Sequence, residues 1–290
     1  MKTLREYITL YENRGKAIGH FNITTIDMLW AVFDAARAVS DEAGEKVPII
    51  IGASEGERDY VGVRQIVEIV HSIQEQFDYP IFINADHTYS VERCKEAIDV
   101  GFDMVIIDAA EKPYEENARM TKEVVDYARE NGSNAMIEAE LGYIGSGSGL
   151  KDEMPEGVSE ATMTNPDEAK RFVEETGVDA LAPAVGNVHG MVKSGNPRLD
   201  PERVKAVRES AGVPLVLHGG SGSADEDFTA VIAAGISAIH ISTELRKAYR
   251  ENLEKSLSEM DTVTPYKYLP PAKAAVQKVV EGRIRLFYGV

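Results

Sequence analysis

The chain has 290 residues, of which 43% are hydrophobic and 27% charged, with a formal net charge of −17 at pH 7. This composition is typical of a globular α/β protein, and the negative charge argues against nucleic acid or an anionic membrane as a partner. The single cysteine, Cys94, excludes an intrachain disulfide. The sequence has no signal core and no run of about 18 apolar residues, so we expect a cytoplasmic protein.

Apolar strands and helical patterns alternate along the chain after a short amphipathic helix over residues 4–14. The predicted strands are 17–23, 47–54, 80–87, 104–108, 135–141, 180–186, 215–220 and 238–243. The predicted helices between them are 26–39, 62–75, 90–100, 114–130, 166–175, 201–210 and 225–234. Eight such β/α units predict a (β/α)8 TIM barrel, a single domain over residues 1–290. The competing doubly wound sheet would need a glycine fingerprint after the first strand, which is absent there.

Two regions break this alternation. Residues 143–164 contain Gly145-Ser146-Gly147-Ser148-Gly149 followed by acidic residues, and lack apolar periodicity. The segment is either a mobile lid or a plain linker, and a barrel enzyme favours the lid. Residues 265–290 carry another helical pattern, which we expect to form a C-terminal helical tail that packs on the barrel or on a neighbouring subunit.

Three histidines lie at predicted strand ends. His87 ends the third strand, His189 follows the sixth, and His218 lies in the seventh. A lone histidine is more often a buried core residue, but the active site of a barrel lies at the carboxyl ends of its strands. Three histidines facing one cavity, with one position left open, are typical of a catalytic zinc site. Glycines follow two of them, where backbone N–H groups can approach an anion.

Seven short motifs are spread over essentially the whole chain. They are Phe21-Asn22, Ser54-Glu55-Gly56, Asp86-His87, Glu138-Ala139-Glu140-Leu141-Gly142, Gly186-Asn187-Val188-His189-Gly190, His218-Gly219-Gly220-Ser221-Gly222 and Thr243-Glu244-Leu245. With these motifs together, the chain resembles the class II, zinc-dependent ketose-bisphosphate aldolases of the fructose-bisphosphate and tagatose-bisphosphate type. The resemblance implies cleavage of a ketose phosphate to dihydroxyacetone phosphate and an aldehyde.

The resemblance also implies roles for individual residues. His87, His189 and His218 would hold Zn²⁺, which polarises the ketone of the substrate. Asp86 would be the catalytic acid/base, and Glu140 an alternate metal ligand or a partner of the ligands. Neighbours on a strand point to opposite faces, so Asp86 and His87 share a site only where the strand ends.

Substrate binding is implied for a larger set of residues. These are Asn22, Ser54, Gly190, Lys193, Gly219, Ser221, His240, Ser242 and Thr243. A monovalent cation near the same loops, a sugar-phosphate substrate and a homodimer or homotetramer are further expectations from the family.

The sequence departs from the family pattern in three places. No glutamate of the lid matches the proton-shuttling residue of the family, which leaves Asp152 or Glu153 as candidates. His240 stands where the family has Asn, Ser242 stands at a variable position, and Gly52 replaces Gln. These departures leave the substrate open between fructose 1,6-bisphosphate, tagatose 1,6-bisphosphate and related sugars.

His20 and His240 lie on the first and last strands, which are neighbours in a closed barrel. We therefore expect the two imidazoles to lie close together, with Gly52 leaving room for a ring. Two adjacent imidazoles should not both be charged, so the pKa of one should fall. The pair either fills core volume or reshapes the substrate pocket.

Three rival functions remain as alternatives. A Schiff-base aldolase needs a lysine on a strand, and none of the predicted strands carries one. A metal-dependent hydrolase usually opens with His-x-His, whereas the first strand reads His20-Phe21-Asn22. A non-catalytic aldolase-like partner subunit would lack metal ligands, and here the three histidines and Asp86 are present.

Overall fold

Eight parallel strands close into a barrel in the computed structural model, which describes residues 1–290. The strands are Ile18–Asn22, Ile49–Ala53, Ile81–Thr88, Met104–Ile107, Met136–Leu141, Ala180–Pro183, Leu215–Leu217 and Ile236–Ile241. Each pairs with the next along the chain, and the last pairs with the first, placing His20 beside His240. The (β/α)8 prediction is therefore confirmed, because the chain alternates strands with helices around one closed sheet.

The helices cover the outside of the barrel. They are Leu4–Glu12, Ile26–Ala43, Glu55–Val61, Val63–Phe77, Val91–Val100, Tyr114–Glu130, Pro166–Thr176, Pro201–Ala211, Asp225–Ala234, Thr243–Glu259, Pro265–Tyr268 and Pro270–Tyr288. Because helices cover one face of each strand and the packed interior covers the other, nearly every strand residue is buried. None of these helices has both the length and the apolar character needed to cross a membrane.

Two helices are missing from the sequence prediction. Glu55–Val61 begins after Ser54, whose N–H and hydroxyl both donate to Glu57 Oε2. It is too short and too polar to show an apolar stripe. Thr243–Glu259 buries little apolar surface of its own, and packs against the C-terminal helix instead.

The sixth and seventh strands end earlier than predicted. They stop at Pro183 and Leu217, so the placement of His218 within a strand was wrong, and this residue lies in the following loop. The side chain of Asn187 replaces the missing ladder partners, because its Oδ1 accepts the N–H of Val185 and its Nδ2 donates to the carbonyl of His218. The two loops that carry histidines are thereby joined by one amide.

The C-terminal helix packs on its own barrel. Pro270–Tyr288 lies against Ile26–Ala43 and Thr243–Glu259, and the carbonyl of Phe287 accepts the N–H of Ala17 at 3.1 Å. The tail was expected to pack on the barrel or on a neighbouring subunit, and in the structure it packs on the barrel.

Residues 143–164 lie over the carboxyl end of the barrel. Within them the short strand Leu150–Lys151 pairs in parallel with Met191–Val192, and Glu160–Thr162 forms a 3-10 turn. The base of the segment is fixed, since Thr164 Oγ1 donates to the carbonyl of Leu141. Closure of this segment on a substrate stays a prediction.

Candidate metal and active site

A tight turn brings Asp86 and His87 to the same side of the third strand. His87 has φ +39°, a left-handed conformation that costs an L-residue about 1–2 kcal/mol. The pairing with the fourth strand shifts its register here, between Ala85 and Thr88. Because of this turn, neighbours that would otherwise point to opposite faces both line the cavity.

Four side chains converge beside this turn. The ligand atoms of His87, Glu140, His189 and His218 all lie within 4.8 Å of one another. Glu140 Oε1 lies 3.2 Å from His87 Nδ1 and 2.9 Å from His218 Nδ1. Both Glu140 Oε1 and His218 Nδ1 are buried and make no hydrogen bond. Imidazole and carboxylate donors left unsatisfied around one point are the set that fits a Zn²⁺ ion.

Two further carboxylates orient these imidazoles. Glu138 Oε1 lies 2.7 Å from His218 Nε2, and Asp108 Oδ2 lies 2.9 Å from His87 Nδ1. Such contacts fix the ring and tautomer of a metal-binding histidine. The role of Asp108 was missed in the sequence, although this residue directly follows the buried strand Met104–Ile107.

The carboxylates also control the charge of the histidines. Burial disfavours the charged form of His87, but Asp86, the bond to Asp108 and the nearby carboxylate of Glu140 hold its pKa well above the usual value. Burial lowers the pKa of His218 too, but Glu140 and Glu138 outweigh this effect and raise it to about 10. Burial and the neighbouring His87 lower the pKa of His189 to about 3. The raised pKa values favour the protonated forms of His87 and His218, and a metal ion that binds there must displace these protons.

The two oxygens of Asp86 have different surroundings. The amide of Asn22 donates to Asp86 Oδ2 at 2.8 Å and to Glu57 Oε2 at 3.0 Å. The other oxygen, Oδ1, lies 3.3 Å from His240 Nδ1. Although burial opposes ionisation, His87 and His240 keep the pKa of Asp86 well below its usual value. The carboxyl group is therefore held in one orientation, and its surroundings favour the ionised form.

His20, His240 and His218 form a stack of imidazoles. The rings of His20 and His240 lie 3.4 Å apart and within 3° of parallel, and His240 lies 4.0 Å from His218. The predicted proximity of His20 and His240 is confirmed, with stacking in place of a mutual hydrogen bond. Burial lowers the pKa of His20 to about 4 and that of His240 well below its usual value, so the pKa of both falls. Gly52 provides the space, because a Cβ there would lie 2.1 Å from His20 Cε1.

The loops after the sixth and seventh strands meet the start of helix Thr243–Glu259. Gly190, Gly219, Ser221, Ser242 and Thr243 line one recess with the histidines. Ser221 Oγ accepts the N–H of Ser242 at 3.1 Å, which ties the loop to the helix start. Gly219 has φ +62°, and a Cβ there would lie 2.3 Å from the carbonyl of Val188. Only glycine fits this turn, whose backbone N–H groups and helix N-terminus favour an anion.

A wider cavity of about 570 Å³ opens from this recess. Ser54 lines it, together with two cations that the sequence analysis missed, Lys112 and Arg246. Arg246 lies on the helix that was not predicted, and it donates to Glu57 Oε1 at 2.6 Å and to the carbonyl of Ser148 at 3.1 Å. The guanidinium therefore joins the segment 143–164 to the barrel.

Lys193 is the one expected substrate-binding residue outside both the recess and the cavity. Its exposed ammonium pairs with Asp152 at 2.5 Å. Asp152, one of the two candidates for the acid/base residue of the lid, is therefore engaged in this ion pair. The other candidate, Glu153, is exposed. The structure thus brings together the expected metal ligands, Asp86, and the glycine and serine positions, but leaves Lys193 and both lid candidates on the surface.

Comparison with known proteins gives a consistent family. The sequence profile described as "Fructose-bisphosphate aldolase class-II" matches residues 2–289. Fructose-bisphosphate aldolase of Staphylococcus epidermidis is 38% identical over 293 residues, covering 98% of this chain and 96% of the relative. The Geobacillus stearothermophilus enzyme of the same name is 40% identical, covering 94% and 92%. The crystal structure of the YdjI aldolase from Escherichia coli K12 superposes with a TM-score of 0.81 at 33% identity, covering 98% and 96%. The chain therefore belongs to the class II fructose-bisphosphate aldolase family and is an aldehyde-lyase.

Proposed function

We propose that this protein is a zinc-dependent aldolase that cleaves a ketose phosphate such as fructose 1,6-bisphosphate. The products would be dihydroxyacetone phosphate and glyceraldehyde 3-phosphate. The observation that carries the proposal is the convergence of His87, Glu140, His189 and His218 within 4.8 Å, next to the ionised Asp86.

His87, His189 and His218 would hold the Zn²⁺, with Glu140 as an alternate ligand. When bound, the ion would supply Lewis-acid polarisation of the substrate ketone. Glu138 and Asp108 keep the imidazoles of His218 and His87 oriented toward the common point. The unsatisfied Oε1 of Glu140 supports its participation in the same site.

Asp86 would move the proton that bond cleavage requires. Its Oδ2 is occupied by the amide of Asn22, whereas Oδ1 makes no hydrogen bond and lines the recess. As a carboxylate, Oδ1 would accept the proton of the hydroxyl that becomes the aldehyde, and it would return this proton in the direction of synthesis. The free Oδ1 of Asn22 is an acceptor for a substrate hydroxyl nearby.

The substrate phosphate next to the ketone would occupy the recess formed by Gly190, Gly219, Ser221 and Thr243. The glycine turn and the start of a 17-residue helix provide N–H donors without a side-chain cation. We retain Lys193 as a phosphate ligand only for a state in which its contact with Asp152 is broken.

The far end of the substrate would lie in the wider cavity. Ser54, Lys112 and Arg246 line this cavity but not the recess, which suits a second anionic group. A second candidate substrate is tagatose 1,6-bisphosphate, because His240 lines the recess with a buried Nε2 that has no partner. This nitrogen would respond to the orientation of a substrate hydroxyl.

The test is cleavage of fructose 1,6-bisphosphate, tagatose 1,6-bisphosphate and related ketose phosphates by the purified protein. We expect a strong chelator to abolish activity and added zinc to restore it. His189→Ala should bind less than one metal per subunit, while Asp86→Asn should keep its zinc but lose about 10²-fold or more in kcat. Full activity after metal removal, or no cleavage of any ketose phosphate by the zinc-loaded enzyme, would refute the proposal.

The covalent alternative has its own test. Borohydride added with substrate should trap no lysine adduct, although Lys112 lies in the cavity. A trapped lysine found by mass spectrometry would move the protein to the Schiff-base class.

A further inference from the structure

The short helix Glu55–Val61 directs two buried charged side chains toward the barrel. Arg58 is 1% exposed and is the largest fully buried side chain of the molecule. All three hydrogen bonds of its guanidinium go to uncharged oxygen atoms. A buried charge without an acidic partner is costly to keep, and an apolar residue of similar size would usually fill core volume at lower cost.

The hydrogen-bond partners of the guanidinium all belong to two neighbouring strands. Arg58 Nη1 donates to the carbonyl of Ala53 at 2.6 Å and to the carbonyl of Asp86 at 3.0 Å. Arg58 Nη2 donates to Thr88 Oγ1 at 3.0 Å. The two nitrogens thus contact the residues immediately before and after His87.

We propose that Arg58 is a positioning residue that fixes the left-handed turn at His87, and with it the placement of Asp86 and His87. Three bonds from one rigid, planar group hold both sides of the turn and anchor it to the end of the second strand. Without them the third strand would relax toward regular alternation, which would turn one of the two side chains away from the cavity. This inference rests on the aldolase function proposed above.

The adjacent Glu57 supports the same aspartate from the other side. Its carboxylate accepts the amide of Asn22 at 3.0 Å, and that amide also donates to Asp86 Oδ2. Glu57 therefore orients the carboxylate of Asp86, whereas Arg58 fixes its backbone. Both supports therefore come from one turn of the helix Glu55–Val61.

The test compares Arg58→Met, which keeps the length of the side chain but removes its donors, with Arg58→Lys. Thr88→Val removes a single acceptor with almost no change of shape, and provides a variant that folds if Arg58→Met does not. The matched control is Arg208→Met, because Arg208 is partly buried and pairs with Glu12 away from the site. The readouts are kcat, KM, zinc affinity by competition with a chelator, and melting temperature of the metal-free protein.

We expect Arg58→Met to lower kcat by about 10²-fold, as a misplacement of about 1 Å does, with KM nearly unchanged. Zinc affinity should fall by roughly 10–100-fold, as it does when partners of metal ligands are removed. Arg58→Lys should fall in between, and Thr88→Val should change both quantities in the same direction but less. The control should lose thermal stability only.

A kinetic double-mutant cycle separates positioning from general stability. In an Asp86→Ala background, Arg58→Met should cost little further kcat, because the group that it positions is gone. Normal zinc affinity and kcat in a folded Arg58→Met protein would overturn the inference, as would equal losses in Arg208→Met. An inactive wild type would instead refute the proposed function, while zinc affinity would still test the role of Arg58.

Discussion

Replacement of Gly52 by alanine should dislodge the imidazole stack. The new Cβ would lie 2.1 Å from His20 Cε1 and 2.6 Å from His20 Nε2, and it needs 3.4 Å for an ordinary contact. The ring would have to withdraw by about 1.3 Å. It has no free direction, since His240 stacks on it at 3.4 Å and Asn84 lies 3.2 Å from its Nε2.

Overpacking of this kind costs about 1–3 kcal/mol of unfolding free energy. For a protein of 290 residues that corresponds to a loss of roughly 2–5 °C in melting temperature. The displaced ring would also press on His240, and through it on His218 and Asp86, so zinc affinity should fall as well. The structure provides a matched control in Gly56→Ala, because a Cβ at Gly56 meets no atom within 4 Å.

The assay is thermal unfolding of the metal-free proteins, combined in a double-mutant cycle with His20→Ala. Once the ring is removed, the added methyl has space, so Gly52→Ala should cost much less in the His20→Ala background. The expected coupling is of the same order as the clash, about 1–3 kcal/mol. An equal loss of stability in both backgrounds, or no loss in either, would show that the described packing of Gly52 on His20 is wrong.

Three further outcomes follow from the site. Because carboxylates raise the pKa of His87 and His218, zinc binding near pH 7 should release about two protons. The zinc affinity should therefore weaken as pH falls, by up to about two decades per pH unit. Calorimetry in buffers of different ionisation enthalpy measures the proton release, and zero release would contradict this prediction. His240→Asn should change the ratio of kcat/KM between ketose phosphates; a loss of thermal stability with all ratios intact would mean that the imidazole only fills core volume. Deletion of residues 147–156 should lower turnover with zinc content unchanged, and unaffected turnover would identify the segment as a linker.

The sequence predicts the barrel because its signals are local. Apolar strands, helix caps and glycine helix ends repeat along the chain, and each reflects the physics of a few neighbouring residues. Asn165 and Asp200, for example, cap helices that begin with proline, at Pro166 and Pro201. The helix Thr243–Glu259 escapes prediction because tertiary packing, and not an apolar stripe of its own, holds it in place.

The convergence of His87, His189 and His218 was also predictable, since histidines at strand ends combine two independent signals. The residues that hold these histidines and Asp86 in place were not predictable. Arg58 looks like a solvated helical residue in the sequence, and only the folded barrel shows that its acceptors are main-chain carbonyls, which carry no sequence signature. The placement of Lys193 outside the recess and the cavity was not predictable for a related reason. Its surface ion pair with Asp152 depends on the paths of two long loops.

The proposed ligand set has a consequence for how the chain would acquire a metal. His87, Glu140 and His218 come from the third, fifth and seventh units of the barrel, so the first and last are separated by about 130 residues. A chain in which only the first half has docked contains one or two weak donors and does not compete for the ion. An ion bound later would link distant parts of the sequence, and its binding energy would stabilise the closed barrel alone. The metal would then slow unfolding much more than it speeds folding.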